Sequence, residues 1–427
     1  MTTTLTPDVA PATTAPAVGA RTSWRTAVLL GVIALIALIL TIVTADGDAQ
    51  IRLSTSTDAV QIPIFALPGK LTTIVLTVLV IAVAAYGALL TQRGRKVPIW
   101  LVTTAGGLTF IALLVMLTAG KAQVLPVAGL LGGALFLATP LVFGALSGVV
   151  CERVGIVNIA IEGQLLAGAF AAAVVASIAG NAYVGLVAAP FAGVAVGALL
   201  AFFAIRYHVN QIIVGVVLNV LVVGLTSFLF STVLNENPNL NSRLGLTTLP
   251  IPLLSEIPVL GPVLFRQNAL VYLMYAIVIV LQIMIFRSRW GLRLRSVGEH
   301  PKAADTVGIN VNRTRWRNTL LGGAIAGLGG AFFTVASGLA FGKDMTAGNG
   351  FIALAAMILG RWSPKGAVVA ALLFGMSKQL GGFIQQLQVP IPSQFLLMLP
   401  YIVTILAVAG FAGRVRAPAA EGIPYVK

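Results

Sequence analysis

Residues 287–318 read RSRWGLRLRSVGEHPKAADTVGINVNRTRWRN, a polar island between two apolar runs, Ala269–Phe286 and Thr319–Leu339. Each run is close to the ~20 apolar residues that a helix needs to cross a bilayer. The island carries Arg287, Arg289, Arg293, Arg295, Lys302, Arg313, Arg315 and Arg317 against only Glu299 and Asp305. Lys and Arg resist translocation, so a short loop this basic belongs on the cytoplasmic side. Within it, Glu299–Val307 has the signature of a short helix. Pro301 stands near its start, where the missing N–H costs little. Ala303 and Ala304 follow, and Gly308 is a natural stop. Glu299 falls in the expected first turn, where a negative charge suits the helix dipole. From charge alone, a solvated loop with no partner explains the island about as well. The embedded Gly298-Glu299-His300-Pro301-x-Ala303-Ala304-Asp305 pattern favours a surface helix held between basic arms.

Composition extends this to the whole chain. Of 427 residues, 58% are hydrophobic and 9% charged, with a mean hydropathy of +0.99. A soluble domain carries about 25% charged residues, so this chain could not cover a water-facing surface. It reads as an all-α polytopic membrane protein. Its 45 glycines fit, because small residues let helices approach closely in lipid. The net charge of +15 would suggest nucleic acid in a soluble protein. Here the basic residues sit in short loops between spans, where orientation and contact with anionic membrane lipid explain them; no nucleic-acid partner is expected. Cys151 is the single cysteine and His208 and His300 the only histidines. An internal disulfide is excluded, and neither a metal site nor a cofactor is expected.

Taken in order, residues 1–24 are rich in Thr, Ala and Pro and read as a disordered cytoplasmic N-terminus. Residues 25–120 read as additional N-terminal spans: Ala27–Thr44, Leu71–Leu90 and Ile99–Thr118. A polar, outward stretch with Asp46, Asp48 and Asp58 follows the first of these. Residues 121–413 read as the core. Its spans are Pro126–Val150, Ile156–Ala179, Tyr183–Ile205, Gln211–Leu234, Ala269–Phe286, Thr319–Leu339, Gly366–Phe383 and Phe395–Ala412. A long outer loop lies at 235–267, and the cytoplasmic island at 287–318. Gly350–Gly360 is too short to span, and Gly-interrupted segments of this kind mark broken or re-entrant helices. The tally is roughly 10–12 spans. Residues 414–427 form a tail, and both termini fall on the cytoplasmic side of the cell membrane.

Polar residues inside the apolar regions concentrate in ERVGIVNIAIEGQLLAG, residues 152–168. Asn158 and Glu162 are four apart and would share a helix face. Gln164 follows, and Gln211 and Asn219 add polar groups two segments later. A carboxylate at the bilayer centre costs about 2.5–3.5 kcal/mol on insertion scales, so Glu162 should face the bundle interior or a water-filled path. One reading makes these five residues a solute pathway; the other makes them interhelical hydrogen-bond glue. No GxxxxGK[ST], HExxH or GxSxG motif is present, so neither a P-loop nor membrane-embedded hydrolysis is expected and the chain does not read as an enzyme.

Four ordered motifs carry a resemblance: ERVGIVNIAIEGQLLAGAF, NQIIVGVVLNVL, VGEHPKAADTVGINV and MTAGNGFIALAAMILGRWSPKGA. Together they resemble the permease family of ATP-binding-cassette importers for simple sugars, nucleosides and branched-chain amino acids, over about residues 125–413. They lie nearest the nucleoside-type branch. The resemblance implies tightly packed helices with a broken second core helix. It also implies a second permease subunit, identical or a sibling, a cytoplasmic ATP-binding subunit and an extracytoplasmic solute-binding (lipo)protein. In such proteins a cytoplasmic helix docks on the ATPase; here that maps onto Gly298, Glu299, His300, Pro301, Ala303, Ala304 and Gly308. The sugar branch carries a Gly-Gly-Ile-Asp-Leu-Ser type motif in the broken helix. This chain has Asn158-Ile159-Ala160-Ile161-Glu162-Gly163, which moves the substrate toward nucleosides.

The alternatives are a permease for simple sugars or another small solute of the same family, an ion-coupled secondary transporter using Glu162 as a proton site, and, more distantly, a membrane enzyme or lipid-binding scaffold. The topology itself is testable. A cysteine in place of Ser296, in a Cys151→Ser background, should react with an impermeant maleimide only in inside-out vesicles. Labelling in intact cells would reverse the orientation.

Overall fold

The computed structural model describes residues 24–55, 58, 61–387, 398 and 416–426. The segment expected to be disordered, 1–24, lies almost wholly outside the described residues, and so, Met398 apart, does the expected last span, 395–412. The described chain is overwhelmingly helical, and its few strands are two to five residues long. Among the described residues nine helices are long and apolar enough to cross a membrane, with one shorter apolar helix, Asn349–Leu359. The chain forms two compact units, one from residues up to 49 with 67–121 and the other from 50–66 with 122 onward.

The first unit holds α1 (Arg25–Val43), α2 (Gly69–Gln92) and α3 (Ile99–Thr118). Leu30, Ala37, Val80, Val102 and Ala105 form its core. Gly87 admits Leu30, whose Cδ1 occupies the space a Cβ would need. The Thr41 and Thr77 hydroxyls hydrogen-bond at 2.7 Å, a polar link between otherwise apolar helices. Val28, Leu35, Ile39, Val75 and Val78 stay exposed. An outward apolar face of this kind belongs against lipid.

The second unit is built around α4 (Val127–Glu152), in which every residue from Ala138 to Glu152 is buried. A helix buried on all sides is the core of its bundle. Around it come α5 (Ile161–Ala179), α6 (Ala182–Ala201), α7 (Gln211–Leu229) and α8 (Ala269–Arg287). The short α9 (Arg289–Glu299) and α10 (Pro301–Thr306) occupy the island. They are followed by α11 (Val311–Gly330), α12 (Asn349–Leu359) and α13 (Pro364–Gln386). Helix α4 packs against α11, α12 and α13, and α11 also against α5 and α6.

Glycines set these distances. A Cβ on Gly168 would collide with the carbonyl of Gly327, and one on Gly193 with the carbonyl of Gly323. Backbone meets backbone along the GGAIAGLGG run of α11. Gly224 on α7 has open space around it, so glycine is needed where helices cross and not everywhere in the bundle.

Three boundaries differ from the sequence expectation. The span expected from Ile156 begins as a helix only at Ile161. The span expected over 319–339 is α11 from Val311, followed by a 3-10 turn at Ala331–Phe333. Its start lies inside the polar island because Asn310 caps it, accepting from Arg313 N at 2.9 Å; charge hid that start. The helix expected over Glu299–Val307 is the shorter α10, Pro301–Thr306, and an unexpected helix, α9, precedes it. Helix α9 buries Gly291, Leu294, Val297 and Gly298, a helical stripe that the arginines between them obscure. The chain breaks at His300 because the residue before a proline avoids the helical region.

Candidate solute pathway and coupling surface

Between α4 and α5 the backbone leaves the helix at residues 153–160, inside the packed core. Backbone groups freed in such a place must find partners within the protein. Gly155, at φ +91°, makes the turn; its N–H reaches Glu152 O at 2.9 Å. Val157 N donates to Gln211 Oε1 at 2.7 Å. Asn219 works twice, accepting from Gly163 N at 2.8 Å and donating to Ile159 O at 2.9 Å. Asn158 donates to Gln164 Oε1 at 3.0 Å and to Ser147 Oγ at 3.1 Å. Asn158 therefore sits in the turn and does not share a helix face with Glu162, because the helix that would align them starts at Ile161.

Glu162 lies in the first turn of α5 and reaches across to α12. Its Oε1 accepts from Gly348 N at 2.8 Å and its Oε2 from Gly350 N. These N–H groups open a helix, where an anion is favoured by both the unpaired donors and the dipole. A Cβ on Gly350 would collide with the Glu162 backbone, so glycine is required for this approach. Lys378 of α13 donates to Asn349 Oδ1 and lies within electrostatic reach of Glu162. Sequence reading passed over Lys378, although it is the one charged residue in the apolar run Gly366–Phe383.

All five residues expected in the pathway are thus buried and gathered around one break. Their hydrogen bonds run mainly to the backbone of the break and of α12. They hold the turn between α4 and α5 in one geometry.

The helices of the basic island abut the same turn. A Cβ on Gly298 would collide with Arg153 O, so the end of α9 rests directly on the turn. Arg153 and Arg295 both stand over the Phe286 ring, at 5.4 and 5.5 Å. Arg153 Nε also donates to Trp362 O at 2.8 Å, and Trp362 Nε1 donates to Glu152 Oε2 at 2.6 Å. Arg361 and Trp362 take left-handed backbone, φ +55° and +51°, which aims that indole inward. Glu299 is the last residue of α9 and not part of the first turn of α10. His300 caps α10 instead, its Nδ1 accepting from Ala303 N at 3.2 Å. Pro301 is at N1, and Gly308 follows the helix at φ +83°. Of the two alanines, Ala303 is exposed and Ala304 is buried, so only Ala303 faces outward.

Residues 130–408 match the family described as branched-chain amino acid transport system / permease component. The chain belongs to that permease family. A nucleoside ABC transporter permease protein of Lactococcus lactis is 40% identical over 306 residues, covering 69% of this chain and 95% of that protein. A guanosine ABC transporter permease protein of Bacillus subtilis is 39% identical over 302 residues, covering 68% and 94%. A putative glucose ABC transporter permease protein of Haloferax volcanii is 35% identical over 253 residues, covering 58% and 75%. No solved structure matches the chain. The permease is a multi-pass membrane transport subunit.

The two readings of Glu162 separate experimentally. In Glu162→Gln an amide NH₂ meets a backbone N–H, leaving a buried donor unpaired at a cost of about 1–3 kcal/mol. We expect a lowered unfolding temperature of the purified permease, with uptake reduced in step. Unchanged stability with altered solute selectivity would make the carboxylate a solute contact instead.

Proposed function

We propose that this permease forms the translocation pathway of an ATP-driven importer for nucleosides. The observation that carries this is the match along nearly the whole length of two relatives named for nucleoside and guanosine transport, 95% and 94% of each. The glucose permease relative keeps a sugar as the second reading; it is less similar and is covered over 75% of its length. In this proposal ATP is hydrolysed by a separate cytoplasmic subunit, and an extracytoplasmic receptor delivers the solute. A second permease subunit completes the pathway. The basic island faces the cytoplasm, as positive-inside bias requires. Helix α10 is the ATPase contact: it is short, is followed by an exposed Val307, and presents a small residue, Ala303, that lets a partner surface approach. Asn158, Glu162, Gln164, Gln211 and Asn219 act in transport as the scaffold of the discontinuous helix.

The docking face can be tested by enlarging it. Ala303→Trp should give a normally inserted, normally stable permease that loses most of its co-purifying ATPase. Ala304→Trp, at a buried position, should instead lower stability by about 1–3 kcal/mol through overpacking. Full ATPase recovery with Ala303→Trp would remove α10 from the contact.

A further inference from the structure

Residues 416–426 lie against the coupling surface, and the hydrogen bonds they make are specific. Ala420 N donates to Gly298 O at 2.8 Å, and Gly422 N donates to Gly155 O at 3.2 Å. Ala419 N donates to Glu299 Oε2 at 3.3 Å. Ile423 O accepts from Arg315 Nη1 at 2.9 Å, and the Tyr425 carbonyl is bonded to His208 Nε2 at 3.3 Å. The Glu421 carboxyl lies near the Glu152 carboxyl at the end of α4, and its buried Oε2 has no hydrogen-bond partner among the described residues. Pro418, Ala420 and Tyr425 are buried.

These contacts join parts of the chain that are distant in sequence. Gly155 belongs to the break between α4 and α5. Gly298 and Glu299 end α9 and lead into α10. Arg315 is on α11, which follows α10. A Cβ on Gly155 would crowd both Arg315 Nη2 and Ala420 O, so the three segments meet at one point. Arg315 is almost wholly buried and the tail carbonyl is its hydrogen-bond acceptor. The tail is therefore bonded to both flanks of α10 and to the broken helix beneath it.

We propose that tail residues 419–423 are positioning residues for α10, clamping it to the helix break so that force applied at α10 moves the break. The proposal rests on α10 being the ATPase contact; the clamp itself is independent of that. The mechanism is ordering. A six-residue helix is not stable alone, so the orientation of α10 depends on what holds its two ends. With the tail in place, the residues that lead into α10 are tied to the turn that Arg153–Asn158 makes in the core, and α11 beyond it is tied to the same tail.

The test uses the full-length permease with two tail substitutions, Ala420→Pro and Gly422→Pro, each of which removes one donating N–H. Ala420→Gly keeps that N–H and serves as the conservative control. Hydrogen exchange is first measured on the permease alone. The proline variants should raise exchange across 296–306 about tenfold, as expected for losing a net hydrogen bond or two, with exchange in α4, α5 and α11 unchanged and Ala420→Gly like the parent. Unchanged exchange across 296–306 would overturn the clamp whatever α10 contacts. Receptor, ATPase and permease are then combined in proteoliposomes. The proline variants should lower solute moved per ATP hydrolysed, an effect that a mere loss of folded protein would not produce. An unchanged ratio would overturn the positioning role. If exchange rises while the parent itself binds no ATPase, the clamp stands and the reading of α10 fails.

Discussion

A backbone that leaves the helix inside a packed membrane core must hydrogen-bond its own chain, and the structure depends on how this permease meets that requirement. Five of the eight residues 153–160 are buried, and a buried N–H or C=O left unpaired there would cost several kcal/mol. Gln211 supplies a partner for Val157 N at 2.7 Å and Asn219 one for Ile159 O at 2.9 Å, while Asn158 and Gln164 bond each other beside them at 3.0 and 3.3 Å. Glu162 supplies partners for the start of α12. These polar residues sit in apolar helices because the break needs them. They make it one defined shape, which a transporter that alternates between states can move as a unit.

The remaining architecture supports that break. Lipid gives no hydrophobic drive for helices to associate, so close van der Waals contact must serve. Helix α11 obtains it through glycines that bring its backbone onto α5 and α6. Arg153, Phe286 and Arg295 stack at the end where α9 begins. That end also carries the paired Trp362 and Glu152. Burial pushes the nearby Glu421 carboxyl above the usual carboxylate range. The turn at 153–160 and the end of α9 are consequently adjacent, with Gly298 in contact with Arg153.

Much of this was legible in the sequence. Spans were visible as apolar runs, and the island as charge. The short segment 350–360 announced α12 by length alone. Glu162 and Asn219 stood out because polar groups in lipid need a reason. Three things were hidden. The break could not be placed, since Val-Gly-Ile-Val-Asn-Ile suits a strand, a turn or a buried helix equally in an apolar context. Helix α9 was masked because its buried stripe includes two glycines between arginines. Lys378 passed unnoticed because its partners, Asn349 and Glu162, come from other segments of the chain, and pairing across a fold leaves no local pattern.

Uptake in a defined system tests the central claim most directly. The permease is reconstituted in proteoliposomes with its co-expressed ATPase and second permease subunit, and labelled guanosine is supplied with the solute receptor. The account predicts accumulation that requires receptor and luminal ATP together and is indifferent to an imposed proton or sodium gradient. Accumulation without ATP that follows such a gradient would contradict it.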